Sequence, residues 1–366
     1  MDTVARLRPI PLGPSLTRGA LLLVGAAGVA GLALVAAVAL GSVGIDPAQT
    51  LAILARRLLG LPLAETWPTV SETIVMELRL PRALAALLVG GGLASAGAVF
   101  QALLRNPMAD PYVIGTAAGA SLGAVLGIVA PLLVPALALG AGSAWLGIGL
   151  VQALAFGGGV LTVLAVVGLA RGSSPVVGLL LTGYAVSSLL SAVVALLLFG
   201  AGRALGAVVA WLLGSLAGAG WSDLAVAGPL LALSFIGLLL HWRSLNLLLM
   251  GDEAATHLGL DVRRTRLRLV LLASLSASAA VAVSGTIGFV GLVVPHLVRL
   301  LSGPDHRLLL PLSALLGGAL LTVADLGVRL AGGVPVGVAT ALIGAPFLLW
   351  LLSRSRRSGG AAWPSA

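Results

Sequence analysis

The residues of this chain best able to do chemistry are gathered in one segment, Met250-Gly-Asp-Glu-Ala-Ala-Thr-His-Leu-Gly-Leu-Asp-Val-Arg-Arg-Thr-Arg-Leu-Arg268. Acidic residues and a histidine come first (Asp252, Glu253, His257, Asp261), and Arg263, Arg264, Arg266 and Arg268 follow. The pattern suits recognition. Glu253-Ala254-Ala255 followed by Gly259 predicts a short helix, a glycine break and a basic exit, a compact knob that could seat in a cleft of a water-soluble partner. Gly251, Asp252, Glu253, Ala254, Ala255, His257, Gly259, Arg263 and Arg264 are its candidate contact residues. The plainer alternative is a loop whose arginines serve topology alone.

Other chemistries are excluded by what is missing. There is no cysteine, hence no disulfide, thiolate metal site or cysteine nucleophile. There is also no lysine, so the phosphate-binding lysine of a P-loop cannot be supplied by this chain. The 12 acidic residues are scattered and form no converging catalytic set. No metal site and no cofactor of its own are expected. The net charge of +9 is spread over loops, as orientation signals are, and is not a nucleic-acid footprint.

The elements that must position the knob are membrane helices. Only 9% of residues are charged, against about 25% in a soluble domain. No charge occurs between Asp110 and Arg171, a stretch long enough for two crossings of about 20 residues each. The apolar run after Arg6, Arg8 and Arg18 exceeds the core of about 7–15 residues in a secretory signal and reads as a retained first helix. Charge-poor stretches predict ten helices near 20–42, 82–104, 112–130, 144–170, 176–200, 222–241, 268–284, 286–301, 308–330 and 334–352. Gly285 and Gly288 supply the break between the seventh and eighth. Half-length surface helices are expected near 51–59 and 203–221. Ten crossings return both termini to one side. That side then carries fifteen arginines, and the other carries Arg56, Arg57, Arg79, Arg82, Arg203 and Arg329, which obeys the positive-inside bias. Gly115, Gly119, Gly123 and Gly127 form a stripe for close helix packing. The fold class expected is all-α: one polytopic domain over 1–366, with a membrane core at 20–352, a coupling segment at 246–268 and a tail at 353–366.

Energy coupling can also be read from the residues. Proton- or sodium-driven carriers usually place ionisable groups inside the membrane. Here Asp325 is the exception, and Arg329 lies one helical turn on, positioned to pair with it. With no proton relay and no ATP site, an external ATPase is the economical motor. A secondary carrier and a polytopic membrane enzyme are the competing classes.

Further blocks carry a resemblance. These are Arg79-Leu-Pro-Arg82, Gln101-Ala-Leu-Leu-Arg-Asn-Pro-Met-Ala-Asp-Pro111, Trp211-Leu-Leu-Gly-Ser-Leu216, Gly285-Thr-Ile-Gly-Phe-Val-Gly-Leu-Val-Val-Pro-His-Leu-Val-Arg299, Gly303-Pro-Asp-His-Arg307, Ala324-Asp-Leu326, Pro335-Val-Gly-Val338 and Leu342-Ile-Gly-Ala-Pro-Phe347. With the 250–268 segment, they resemble the FecCD-type permease family in family order from about residue 20 to 352. Those permeases are membrane subunits of bacterial ABC importers for ferric siderophores, haem and cobalamin. The resemblance implies a non-catalytic translocation subunit in the bacterial inner membrane, with both termini cytoplasmic. It implies a second copy of the chain, two ATP-binding cassette subunits that hold ATP and Mg, and a periplasmic binding protein. The 246–268 segment would couple to the ATPase, and Arg56, Arg57 and Arg329 would dock the binding protein. For these arginines the alternatives are lipid headgroups and, for Arg329, Asp325. The fifth helix would line the path with Tyr184, Ser187, Ser188 and Ser191, unless these hydroxyls bond the helix's own carbonyls. An apolar path suits a bulky chelate: haem or a ferric siderophore first, cobalamin as the alternative. His241, His257, His296 and His306 all map to inner ends or inner loops, so haem would cross without histidine ligation by this chain.

Overall fold

The computed structural model describes residues 16–133, 149–170 and 175–357. Every regular element among them is helical. In chain order they are α1 (Leu16–Ala39), α2 (Pro47–Leu59), α3 (Thr69–Leu103), α4 (Thr116–Leu133), α5 (Leu150–Leu169), α6 (Pro175–Gly200), α7 (Leu205–Leu212), α8 (Trp221–Leu240), α9 (Trp242–Leu249), α10 (Asp252–His257), α11 (Val262–Ser284), α12 (Val290–Ser302), α13 (His306–Leu330) and α14 (Val336–Arg357). Seven of these (α1, α3, α5, α6, α8, α11 and α13) are long and apolar enough to cross a membrane. Shorter apolar helices α4, α12 and α14 occupy the other three expected positions. The first residues of the expected 144–170 helix, Arg6, Arg8 and Arg171, and tail residues 358–366 lie outside the described residues.

Several boundaries differ from expectation for local reasons. The second crossing begins at Thr69, well before the expected 82, because Pro81 does not end the helix. A π-turn at Ile74–Arg79 precedes it. In that wider register the missing Pro81 N–H would have met the carbonyl of Met76, and the Trp221 indole N–H donates to that oxygen instead, at 2.9 Å. The third crossing starts at Thr116 rather than 112, because residues 104–115 form a tight polar turn. The break between the seventh and eighth crossings runs through 285–289, with Gly285 at φ +66° and Phe289 at φ +69°. This break crosses the turn after α7, where the Ser215 amide donates to the Ser284 carbonyl at 2.7 Å. At 13 residues, α12 rises only about 20 Å of the roughly 30 Å hydrocarbon core. It functions as a half-helix.

The scattered acids find their use here. Asp46, Asp223, Asp261 and Asp305 sit at the N-termini of α2, α8, α11 and α13, where their carboxylates accept backbone N–H groups.

The core is built around α3, which packs on α13, α11, α12, α8 and α1. Small residues set its approach distances. Gly90 and Gly91 face Gly317 and Ala314 of α13, and Gly97 faces Gly291 of α12, backbone against backbone. The stripe on α4 is likewise spent inside the subunit, since Gly119, Gly123 and Gly127 abut α5 at Gly158, Leu154 and Val151. A Cβ at Gly97 would overlap the Gly291 carbonyl oxygen. Gly97→Ala is therefore expected to lower stability by about 1–3 kcal/mol or more. A thermal midpoint in detergent equal to that of the parent chain would show that α12 can move aside.

The polar groups segregate to two ends of the bundle. One end gathers the turn after α3, α9–α10, the start of α11 and the start of α13, joined by Arg105–Asp252 and by Asn246 with Asp305 and His306. The other gathers α2, the loop after it, the first turns of α3 and the last turns of α1 and α13.

Candidate coupling and docking sites

At the first end the chain leaves α8 and forms α9, whose Leu245 and Leu248 are buried against the core. Gly251, at φ +107°, reverses it into α10. This helix ends with the Gly259 amide donating to the Thr256 carbonyl (2.9 Å) and that of Leu260 to Ala255 (3.0 Å), with Gly259 at φ +86°. The expected short helix, glycine break and basic exit are all present. Ala255 is the buried footing of the knob, while Glu253, His257, Arg263 and Arg264 face outward. Leu258 is 59% exposed, an apolar tip among charges.

Asp252 pins the knob. Its two oxygens accept from the buried Arg266 guanidinium on α11, at 2.8 and 2.9 Å. Arg105, in the turn after α3, reaches the same carboxylate at 3.5 Å. Arg105 holds φ +46°, a conformation that favours glycine. In the same turn, burial pushes the Asp110 carboxyl up to about 6, opposed by the Tyr112 amide that donates to it. The turn after α3 and the 252–266 stretch, far apart in sequence, thus meet on one carboxylate.

At the opposite end, Arg56 and Arg57 lie in the last turns of α2, as expected for a surface helix. They are partnered within the chain. Arg56 meets Glu65 at 2.7 Å and the Leu63 carbonyl, and Arg57 meets Glu72. The Glu72 carboxylate raises the Arg57 guanidinium pKa above its ordinary value and is itself held by the Trp67 indole at 3.0 Å. Arg329 is placed differently from the docking expectation. Its side chain is only 9% exposed and is committed to Asp325 at 3.2 Å and to the Ala37 carbonyl at 2.8 Å. The expected Asp325 pair is present, and it turns Arg329 inward. Arg82 completes the cluster with a two-pronged contact to Asp325 at 2.8–2.9 Å. Arg79 caps the end of α1 through the carbonyls of Val38, Ala39 and Val43.

Helix α6 packs on α4 and α5 and leaves its far face open. On that face Tyr184 is 73% exposed, and Ser188 and Ser191 are exposed beside it. Ser187 donates to its own helix at Gly183, at 2.6 Å. Three histidines lie at the first end: His241 against the Gly237 carbonyl, His306 against Asn246, and His257 in the open. Among the described residues no group of metal-ligating side chains comes together.

A sequence profile of the FecCD transport family matches residues 29–354. The chain belongs to the FecCD transport family. Among its curated relatives, the cobalamin import permease BtuC of Halobacterium salinarum is 44% identical over 84% of this chain and 79% of the relative. The hemin transport permease HmuU of Yersinia pestis is 42% identical over 78% and 85%. The ferric dicitrate transport permease FecD of Escherichia coli is 40% identical over 77% and 86%. A solved structure described as an inward-facing metal-chelate type ABC transporter matches with a TM-score of 0.75 at 29% identity, over 92% of this chain and 99% of the other. This FecCD chain is thus a permease of the metal-chelate ABC importer type, a membrane translocation component.

Within that family frame, sequence reasoning missed the residues that hold the sites together. Arg105 and Arg266 were legible only as loop charges, and Glu65 and Glu72 gave no signal. Arg82 had one: it stands on an apolar helix, and a buried guanidinium needs a carboxylate.

Proposed function

We propose that this FecCD chain is the membrane subunit of an ATP-driven importer that carries a bulky iron chelate, haem or a ferric siderophore, from periplasm to cytoplasm. The knob at 250–268 carries the proposal: a folded, charge-rimmed element fastened to two core helices suits an ATPase cleft better than a free loop. Its end is cytoplasmic in this reading, in line with the arginine bias, and the termini lie there too. ATP and Mg belong to the partner subunits. The open face of α6, with Tyr184, Ser188 and Ser191, meets a second copy of the chain across the path. Cobalamin is the second reading, favoured by the 44% identity to a cobalamin permease. Proteoliposomes holding the permease, its ATPase and its binding protein would decide among haem, ferric siderophores and cobalamin. Uphill uptake should require ATP on the knob side, and accumulation without any ATPase would overturn the proposal.

Docking of the binding protein falls first to Arg56 and Arg57, whose side chains are more open than that of Arg329, which is 9% exposed and engaged with Asp325 and the Ala37 carbonyl. Arg56→Glu with Arg57→Glu would place two further acids beside Glu65 and Glu72. Association with the binding protein is expected to weaken about tenfold at low salt. Unchanged binding by surface plasmon resonance would leave these arginines as headgroup contacts.

A further inference from the structure

A second polar cluster at the knob end takes no part in the coupling site. Trp242, at the start of α9, has two guanidinium groups over its ring: Arg243 at 5.2 Å and Arg307, from the first turn of α13, at 5.9 Å. Both arginines are exposed while the indole is half-buried, so aromatic contact holds their charges near one spot. The first turn of α1, which carries the exposed Arg18, lies against the first turn of α13, since Gly19 packs against Leu308, the residue after Arg307. None of the three arginines has a carboxylate partner among the described residues. The nearby Asp305 carboxylate accepts the Arg307 backbone amide and the Asn246 side chain.

An apolar groove of about 200 Å³ lies between α1, α12 and α13, starting about one turn along from Arg18 and Arg307, and is lined by Leu21, Gly25, Val29, Leu301, Leu312 and Leu316. It opens outward, with Leu21 72%, Val29 50% and Leu301 57% exposed. Basic charge at the first turns of α1 and α13, next along these helices from an apolar slot, matches the two halves of an anionic lipid. Zwitterionic lipids would fill the slot without compensating the charge.

We propose that this groove is a binding site for an anionic phospholipid of the leaflet at the knob end, its phosphate held by Arg18, Arg243 and Arg307 and one acyl chain lying between α1 and α13. The site braces the first turns of α1, α9 and α13.

The full chain, purified into detergent with mixed phosphatidylglycerol and phosphatidylcholine, would be examined by native mass spectrometry. Preferential retention of phosphatidylglycerol is expected. Arg18→Gln with Arg243→Gln and Arg307→Gln should reduce it about fivefold per arginine. Arg263→Gln with Arg264→Gln and Arg268→Gln removes equal charge from the same end away from the groove and should leave retention intact. Gly25→Leu keeps every arginine and fills the groove from a position where a Cβ meets nothing within 4 Å; it too should lose the lipid. Soluble glycerol phosphate should not displace it. The proposal fails if the two triple variants behave alike, which would mean bulk charge. It fails equally if Gly25→Leu retains lipid or glycerol phosphate competes, because the slot then plays no part. A change of oligomeric state in Gly25→Leu with lipid retained would assign the groove to a second copy and also overturn it.

Discussion

Asp325→Ala is expected to be among the most destabilising single substitutions in this bundle. The carboxylate is 1% exposed and serves Arg82 and Arg329 together. Its removal leaves two largely buried guanidinium groups with one carboxylate fewer between them, at side-chain exposures of 18% and 9%. Breaking one buried pair costs about 3–5 kcal/mol, mostly from the charge left behind. Arg329 also ties the end of α1 through Ala37, so the loss should spread to α1 and α2. Thermal unfolding in detergent, followed by circular dichroism, would show a large fall in the midpoint. A triple variant, Arg82→Met with Asp325→Leu and Arg329→Met, removes all three charges and should recover most of the fall. If Asp325→Ala unfolds with the parent chain, water or lipid headgroups are solvating these arginines and the cluster is not a dry one.

Asp252→Arg should separate ATP hydrolysis from uptake. The substitution places a third cation between Arg105 and Arg266, both of which now contact the Asp252 carboxylate. The knob keeps Ala255 and its glycine turns, but it loses the tie to α11 and to the turn after α3. In proteoliposomes, ATP-dependent uptake should fall at least about tenfold, the equivalent of 1.4 kcal/mol of lost coupling. ATPase turnover should persist without responding to loaded binding protein. Asp252→Arg with Arg266→Asp restores one opposite-charge pair and should recover part of the uptake. A plain folding defect would depress hydrolysis and uptake alike and would show no such rescue. Uptake unchanged in the single variant would mean that the knob transmits force through Ala255 packing alone.

The charge balance around α2 bears on the proposed docking by Arg56 and Arg57. Read from sequence, Arg56 and Arg57 are two free positive charges. In the fold, Glu65 and Glu72 accompany them, so an acidic partner must exchange with carboxylates already in place. Exposed pairs of this kind are held weakly, which permits exchange. Glu65 is 49% exposed, whereas Glu72 is held by Trp67. In the proposed docking, Glu65 is therefore the carboxylate that an acidic partner would displace.

The amino-acid order alone determined the class of this molecule: an all-helical membrane protein of the FecCD type, with one folded polar knob and no lysine for a P-loop. Those conclusions rest on local properties, namely apolar run length, glycine and proline punctuation and the absence of lysine and cysteine, and such properties act within a few turns of chain. The tertiary structure alone decided which charges are free. Asp325 to Arg82 and Asp252 to Arg105 are pairs separated by more than a hundred residues, and no periodicity encodes them. Their formation depends on how closely glycine-lined helices approach. That packing turns the Arg329 side chain inward onto Asp325, leaves Arg243 and Arg307 exposed over the Trp242 ring, and holds α3 helical through Pro81 because Trp221 from another helix takes up the orphaned carbonyl.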